Sequence, residues 1–240
     1  MNYEFQSLSF DEQIQFLLQK LNVPTQAWDD LLGSAHDKAF TVAGATAATL
    51  LEDLRQLVSS MLEKGMTFND FQSQFEDIVA KNGWTGWTGE GTQTGVAWRS
   101  KVIAETNLNT SYAAGRWQQI EATKSTRPYL MYRHARGELY PRLEHEAWDG
   151  LVLPADHAWW STHYPPNGFG CKCTVLTLSD ADLERYGLTE TADDAIPPGE
   201  PDKGWDYKPG ATWQPDPNAF DSNISESMQN FIDQSTGGNT

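Results

Sequence analysis

The segment HYPPNGFGCKC, residues 163–173, constrains the fold of this 240-residue chain more than any other stretch. The two prolines at 165–166 fix the backbone φ angle, and the Asn-Gly pair at 167–168 favours positive φ, so the chain must bend here. The run CKCTVLTL, residues 171–178, then predicts a strand in which alternate side chains share one face. Its two cysteines therefore point to the same side, at a spacing that does not suit a disulfide between them.

These two thiols and the nearby histidines predict a structural zinc site. Two thiolates and two imidazoles are a common tetrahedral zinc ligand set. The predicted ligands are His145, His163, Cys171 and Cys173, with His157 in reserve. The competing interpretation is a pair of buried thiols that pack as small apolar groups beside hydrogen-bonded histidines. Both interpretations stay open, because Cys-x-Cys is a rarer ligand spacing than Cys-x-x-Cys.

The stretch EHEAWDG, residues 144–150, contains side chains that enzymes use. A zinc protease helix needs a second histidine four residues after the first, where this chain has Asp149. A zinc deaminase needs a glutamate two residues after its histidine, where this chain has Ala147. The alternative function that stays open is a metal-dependent hydrolase or nuclease built on His145, Glu146 and Asp149.

The predicted fold class is α+β. Residues 1–82 show apolar residues at helical spacing and predict a helical N-terminal subdomain. Its four predicted helices begin after Ser9, at Thr25, near Val42 and at Thr67, and the second of them reaches Ala39. A Gly/Thr-rich connector at 83–95 follows, and we expect its two tryptophans, Trp84 and Trp87, to dock on the fold.

Residues 96–187 predict a domain in which a long helix packs on a small antiparallel sheet. The predicted elements are a helix at about 97–122 and strands at 127–135, 151–153 and 171–178. Residues 188–240 predict an irregular, acidic, proline-rich tail that drapes over the domain through Trp205, Tyr207 and Trp213 and carries a terminal helix near 223–234.

Charge is segregated along the chain, whose formal net charge is −16. Residues 98–137 nevertheless carry seven basic and two acidic side chains. The arginines Arg99, Arg116, Arg127, Arg133 and Arg136 are a candidate surface for an acidic partner, either protein or DNA. The competing interpretation is that they pair with acidic segments of the same fold. The overall acidity argues against nucleic acid as the main ligand.

The chain shows no sign of a membrane or secretory role. No apolar segment approaches 18 residues, so we expect no membrane contact, and the first ten residues lack the features of a signal peptide. With only two cysteines, a disulfide framework is not expected either, which favours a cytoplasmic origin.

The string RLEHEAWDGLVLPADHAWWSTHYPPNGFGCKCTV, residues 142–175, resembles the C-terminal signature of the Mu F-type phage head morphogenesis proteins, the minor head proteins. The matching positions are Arg142, His145, Gly150, Pro154, Trp160, Pro165, Pro166, Gly168, Cys171 and Cys173. The segments at 36–45, 65–84, 99–117 and 202–210 also resemble the family. A second branch of the family has a Cys-x-x-Cys motif whose two cysteines fall at Arg142 and His145 of this chain. Arg142 cannot bind a metal ion.

The resemblance implies a non-enzymatic protein of head assembly. Its partners would be the portal protein, the major capsid protein of a tailed phage, or both, with weak DNA contact and a part in DNA packaging or ejection as further expectations. It would be assembled in the host cytoplasm and reside in the virion, in the inner head or at the portal vertex. A scaffold-like factor absent from mature particles is a further alternative.

Overall fold

The computed structural model describes residues 10–136 and 141–213. The first elements are α1 (Asp11–Leu18), β1 (Leu21–Asn22), β2 (Ala39–Phe40), α2 (Ala48–Lys64), α3 (Phe68–Asn82) and α4 (Gln93–Thr123). The later ones are β3 (Tyr129–Arg133), α5 (Leu143–Ala147), β4 (Val152–Pro154), α6 (Trp160–His163), β5 (Thr174–Leu178) and α7 (Asp180–Tyr186). Long helices with a small antiparallel sheet confirm the predicted α+β class.

Helices α2 and α3 form where the apolar spacing predicts them. Thr67 caps α3 by accepting a hydrogen bond from the Asp70 N–H, and glycines with positive φ, Gly65 and Gly83, follow the two helices. Their apolar stripes face each other and join α1 and part of α4 in one buried cluster, which we call the helical core. Its buried members include Leu17, Phe40, Leu50, Leu51, Leu54, Leu57, Val58, Phe71, Phe75, Trp84, Trp87 and Ile103.

The helix predicted from Thr25 to Ala39 is wrong. The Asp30 carboxylate accepts hydrogen bonds from the Gln26 and Ala27 N–H groups, which closes a local turn. Only a short 3₁₀ helix, Gly33–Asp37, forms in this region. The end of the segment is the strand β2, which pairs in parallel with β1 and therefore needs an extended backbone.

The connector at 83–95 is attached to the helical core. Trp84 and Trp87 are buried and make edge-to-face contacts with Phe75, and the Trp84 indole donates to the Gly44 carbonyl. This confirms that the two tryptophans dock. Helix α4 begins at Gln93, inside the predicted connector, with Thr92 as its side-chain cap.

Helix α4 links the helical core to a second cluster. It has 31 residues, and at 1.5 Å per residue it spans roughly 46 Å. Gly115 lies where α1 crosses it, because a Cβ at this position would lie 2.8 Å from the backbone nitrogen of Gln13. The long helix therefore has a glycine where two backbones approach closely.

The sheet has the order β4-β3-β5, with both pairs antiparallel. Leu130 pairs with Leu153 and with Thr177, and Arg133 pairs with Thr174 at the end of the β3–β5 ladder. One face packs on the C-terminal half of α4 and on the 143–173 region, forming what we call the sheet core. Its buried members include Trp117, Ile120, Leu130, Tyr132, Trp148, Leu153, Trp160, Tyr164, Cys171, Cys173 and Val175.

The segment from 188 to 213 packs against α1, the 33–37 helix and the sheet core. Trp205 and Tyr207 are buried, and Trp213 meets Phe16 edge to face. The buried Asp37 carboxylate accepts hydrogen bonds from the Gly210 and Thr212 N–H groups. The predicted terminal helix near 223–234 lies outside the described residues, as does Ser9, the predicted cap of the first helix. Across 10–136 and 141–213, no helix is both long and apolar enough to cross a bilayer.

Candidate functional site

Two thiols and one imidazole meet in the sheet core. The Nδ1 atom of His145 lies 3.6 Å from the Cys171 sulfur and 3.8 Å from the Cys173 sulfur. All three side chains are buried, and their ligand atoms lie within 4.8 Å of one another. We call these three residues the thiol–imidazole cluster. The structure thus brings together three of the four metal ligands predicted from the sequence.

The bend before β5 holds the two cysteines in place. Asn167 is fully buried, and its side-chain oxygen accepts a hydrogen bond from the Tyr132 hydroxyl at 2.9 Å. The Asn109 side chain on α4 donates to the Cys171 carbonyl at 3.2 Å. The residue with positive φ in the bend is Gly170, at 69°, and not Gly168 as predicted.

Gly168 has a different role in the bend. A Cβ on Gly168 would lie 2.1 Å from a carboxylate oxygen of Asp202 and 3.1 Å from a guanidinium nitrogen of Arg142. These two side chains form an ion pair at 3.0 Å across the bend, and Arg142 also donates to the Phe169 carbonyl. Gly168 is therefore required for close approach and not for its φ angle, and Arg142 fastens the bend from outside.

His145 lies in the middle of the short helix α5 and is oriented by Trp148. The two rings stack with centroids 5.2 Å apart and an interplanar angle of 20°. Trp148 is itself fully buried, and its indole N–H donates to the Pro197 carbonyl. This packing leaves Nδ1 of His145 directed at the sulfurs.

The sequence analysis missed a fourth group beside the cluster, His134. Its Nδ1 atom lies 3.5 Å from the Cys173 sulfur, and its ring is half-buried. The register of β3 against β5 would have placed His134 beside Cys173. Because Arg133 pairs with Thr174 in an antiparallel ladder, His134, the first residue after β3, comes opposite Cys173.

His163, predicted as a metal ligand, does not join the cluster. Its Nε2 atom donates to the Gly199 carbonyl at 3.1 Å, its Nδ1 atom accepts from the Thr162 hydroxyl, and its ring stacks on Trp159. His157, the reserve ligand, pairs with Asp193 at 3.3 Å. The His163 ring is therefore held by Trp159 and the Gly199 carbonyl, although the sequence predicted it as a metal ligand.

Each thiol shifts the pKa of the other. A hydrogen bond from the Cys171 thiol, together with one from His145, lowers the pKa of Cys173 well below its ordinary value despite burial. The same bond to Cys173, with burial, raises the pKa of Cys171. The thiolate form is therefore favoured at Cys173, the sulfur that both histidines face.

The residues of the alternative hydrolase site do not converge. Asp149 pairs with Arg133 at 3.2 Å and with Arg136 at 3.7 Å. Glu146 is exposed, whereas His145 is buried and faces the thiols. A cavity of about 230 Å³ borders the cysteines, but neither a carboxylate nor a histidine of the described residues lines it. The three residues therefore do not form a hydrolytic centre in this arrangement.

The predicted arginine surface is largely engaged within the fold. Arg99 donates to the Ala43 carbonyl, and Arg116 donates to Gln119. Arg127 binds Asp182 at 2.7 Å, and Arg133 and Arg136 share Asp149. These contacts favour the competing interpretation, in which the basic stretch pairs with other groups of the same fold.

A groove that the sequence analysis did not predict gathers exposed apolar side chains. Its volume is about 880 Å³, and it lies between the 25–44 segment, α4 and the 202–207 segment. Trp28, Leu32, Trp98 and Phe169 line it, and each is between 39% and 50% exposed. Lys20, Arg99, Lys101 and Lys203 also line it, against Glu105 and Asp202. We call this surface the aromatic groove.

Comparisons with known proteins agree on one family. The family model described as "Phage Mu protein F like protein" matches residues 52–176, a range that contains the whole thiol–imidazole cluster and His134. The "Putative capsid assembly protein F" of Escherichia phage Mu is 32% identical, covering 78% of this chain and 51% of that protein. The "Mu-like prophage FluMu F protein" of Haemophilus influenzae is 33% identical, covering 71% of this chain and 42% of that protein. The chain thus spans about half the length of these curated relatives. No solved structure matches it significantly.

Proposed function

The chain belongs to the phage Mu protein F-like family, and from this we propose that it assembles the head of a tailed phage by binding other head proteins. The observation that carries the proposal is the similarity to a protein named for capsid assembly over 78% of the chain. On this account the protein is not an enzyme, it is incorporated in the host cytoplasm, and it resides in the virion. Its partners are the portal protein and the major capsid protein.

The aromatic groove supports a specific contact surface. Large exposed apolar patches on soluble proteins mark interaction sites more often than chance. The groove also contains a buried indole N–H, that of Trp87, which has no hydrogen-bond partner among the described residues. Its exposed lysines are already paired, Lys101 with Glu105 and Lys203 with Asp29, so the groove suits an apolar segment. We assign this segment to the portal protein.

DNA contact is less well supported. The arginines at 99–136 that would bind phosphate already donate to groups of the same chain. Phosphate binding would have to break these contacts. A role in DNA packaging or ejection would therefore act through the portal in this account, and not through direct binding of DNA.

The test is a complementation experiment in the phage or prophage that encodes the chain. Deleting the gene should abolish or strongly reduce the yield of filled heads seen by electron microscopy. Cross-linking and mass spectrometry of finished particles should find the wild-type protein next to the portal. Normal heads without the gene would contradict the assembly role, and absence from finished particles would favour a scaffold-like factor.

A matched pair of variants tests the contact surface. Trp98 in the groove is 50% exposed, and Tyr186 on α7, away from the groove, is 63% exposed. Trp98→Ala should lower incorporation into heads, whereas Tyr186→Ala should leave it unchanged. Equal incorporation of both variants would remove the groove from the account and leave the assembly role intact.

A further inference from the structure

We propose that His134, His145, Cys171 and Cys173 bind one zinc ion, with His134 in the ligand position that the sequence had suggested for His163. The proposal concerns the stability of the fold and does not depend on the role in head assembly. It rests on the positions of four side chains from three separate segments of the sheet core.

The distances match the edges of a tetrahedral zinc site. With Zn–S bonds of about 2.3 Å and Zn–N bonds of about 2.0–2.1 Å, tetrahedral geometry places sulfur and nitrogen ligands about 3.6 Å apart. Three of the four sulfur–nitrogen separations are 3.5, 3.6 and 3.8 Å. A hydrogen bond between neutral groups would use one imidazole nitrogen and one sulfur, but here Nδ1 of His145 faces two sulfurs at once.

The donor set is the one that zinc prefers. Two sulfurs and two imidazole nitrogens favour zinc over magnesium or calcium, which take oxygen ligands. The ligand atoms of His145, Cys171 and Cys173 all lie within 4.8 Å of one another. Nδ1 of His134 lies 3.5 Å from the Cys173 sulfur but outside that three-residue group, so its ring would move inwards to complete the site. Apolar packing of two thiols would not need imidazole nitrogens directed at the sulfurs.

Four protein ligands make the site structural. Catalytic zinc sites keep a position open for water or substrate, and this ligand set leaves none. The ion would join the end of β3 through His134, the helix α5 through His145, and the approach to β5 through the cysteines. It would thereby hold the end of β3, α5 and the approach to β5 together.

The first experiment measures zinc directly. The full chain is purified, freed of metal with a chelator, and titrated with zinc while bound metal is determined by elemental analysis. One zinc per chain is expected, and X-ray absorption should show two sulfur and two nitrogen ligands. Cobalt substitution should give thiolate charge-transfer bands and the intense visible bands of a tetrahedral site. Failure of the folded wild-type protein to retain either metal would overturn the proposal.

Histidine variants then identify the fourth ligand. His134→Gln should weaken zinc binding by at least about 10- to 100-fold, the loss typical even for residues that only support a metal site. His157→Gln, a change in a histidine that pairs with Asp193, should bind zinc as the wild type does. Because His134 is only half-buried, the His134→Gln variant should remain folded, and circular dichroism checks this.

The competing ligand is tested in the same way. If folded His163→Gln loses zinc while His134→Gln keeps it, the assignment of His134 is wrong. If both variants keep wild-type affinity, the site has only three protein ligands, and the claim of a closed site is wrong.

Discussion

The helical core and the sheet core are built by different means. The helical core consists of leucine, valine and phenylalanine stripes on helices, joined by two docked tryptophans. The sheet core combines tryptophan and tyrosine rings with thiols, imidazoles and a buried asparagine, most of them supplied by short elements and loops packed on the end of α4. Burial of apolar area is sufficient for the first. The second also needs its polar groups to find partners, so it depends on hydrogen bonds and, in our proposal, on a metal ion.

Truncating one large aromatic side chain in each core gives the largest predicted effect. Phe75 and Trp148 are both fully buried. Phe75→Ala and Trp148→Ala should each lower the free energy of unfolding by about 3–5 kcal/mol, measured by urea denaturation. Only Trp148→Ala should also weaken zinc binding, because Trp148 orients the His145 ring. Equal effects of the two changes on zinc affinity would remove the distinction between the cores.

The next effect concerns a buried lysine beside the helical core. Burial lowers the pKa of Lys20 to about 8, although Asp37 partly opposes the shift. In the unfolded chain the pKa of this lysine has its ordinary value of 10.5, so raising the pH from about 8 to 10.5 favours the folded state. The free energy of unfolding should rise by about 3 kcal/mol over this pH range.

The variant Lys20→Met isolates this contribution. It should flatten the rise in unfolding free energy across that pH range relative to the wild type, because the group that titrates is gone. Parallel pH profiles for the two proteins would show that Lys20 is solvated and not buried.

A glycine in α4 tests the link between the two cores. Gly115→Ala raises the intrinsic helix propensity but places a methyl group against the backbone of α1. We expect a net loss of about 1–3 kcal/mol in unfolding free energy. Thr94→Ala, at an exposed position of the same helix, should be neutral or slightly stabilising. A stabilised Gly115→Ala would mean that α1 does not pack closely there.

The smallest effects come from the arginines of the sheet region. Arg127 donates hydrogen bonds to Thr177 and Asp182, so Arg127→Ala should lower the free energy of unfolding by about 1–2 kcal/mol. Arg136 is 80% exposed, and Arg136→Ala should cost less than about 0.5 kcal/mol. Thermal unfolding of both variants checks the order. If Arg136→Ala also lowered head incorporation, the partner surface predicted from charge would regain support.

The sequence predicts the helical core better than it predicts the site in the sheet core. The spacing of Leu50, Leu54 and Leu57 predicts α2 because a helical stripe is local information, and the strands are predicted because their faces alternate. The segment 25–39 has a similar apolar pattern, but the turn closed by Asp30 and the pairing of β2 with β1 override it.

The site is harder to predict because its contacts are remote in sequence. His145 and the two cysteines lie in one recognisable string, whereas His134 comes beside Cys173 only through the strand register. His163 lies much closer to the cysteines along the chain, yet Trp159 and the Gly199 carbonyl hold its ring elsewhere. The aromatic groove likewise combines Trp28, Trp98 and Phe169 from three distant segments.

Hydrogen exchange of the full chain with and without zinc tests the difference between the two cores most directly. Zinc should raise amide protection in β3, α5 and β5, which carry or adjoin the four ligands, and leave α2 and α3 unchanged. Equal protection of all these elements in the two samples, or a gain centred on α2 and α3, would contradict the account.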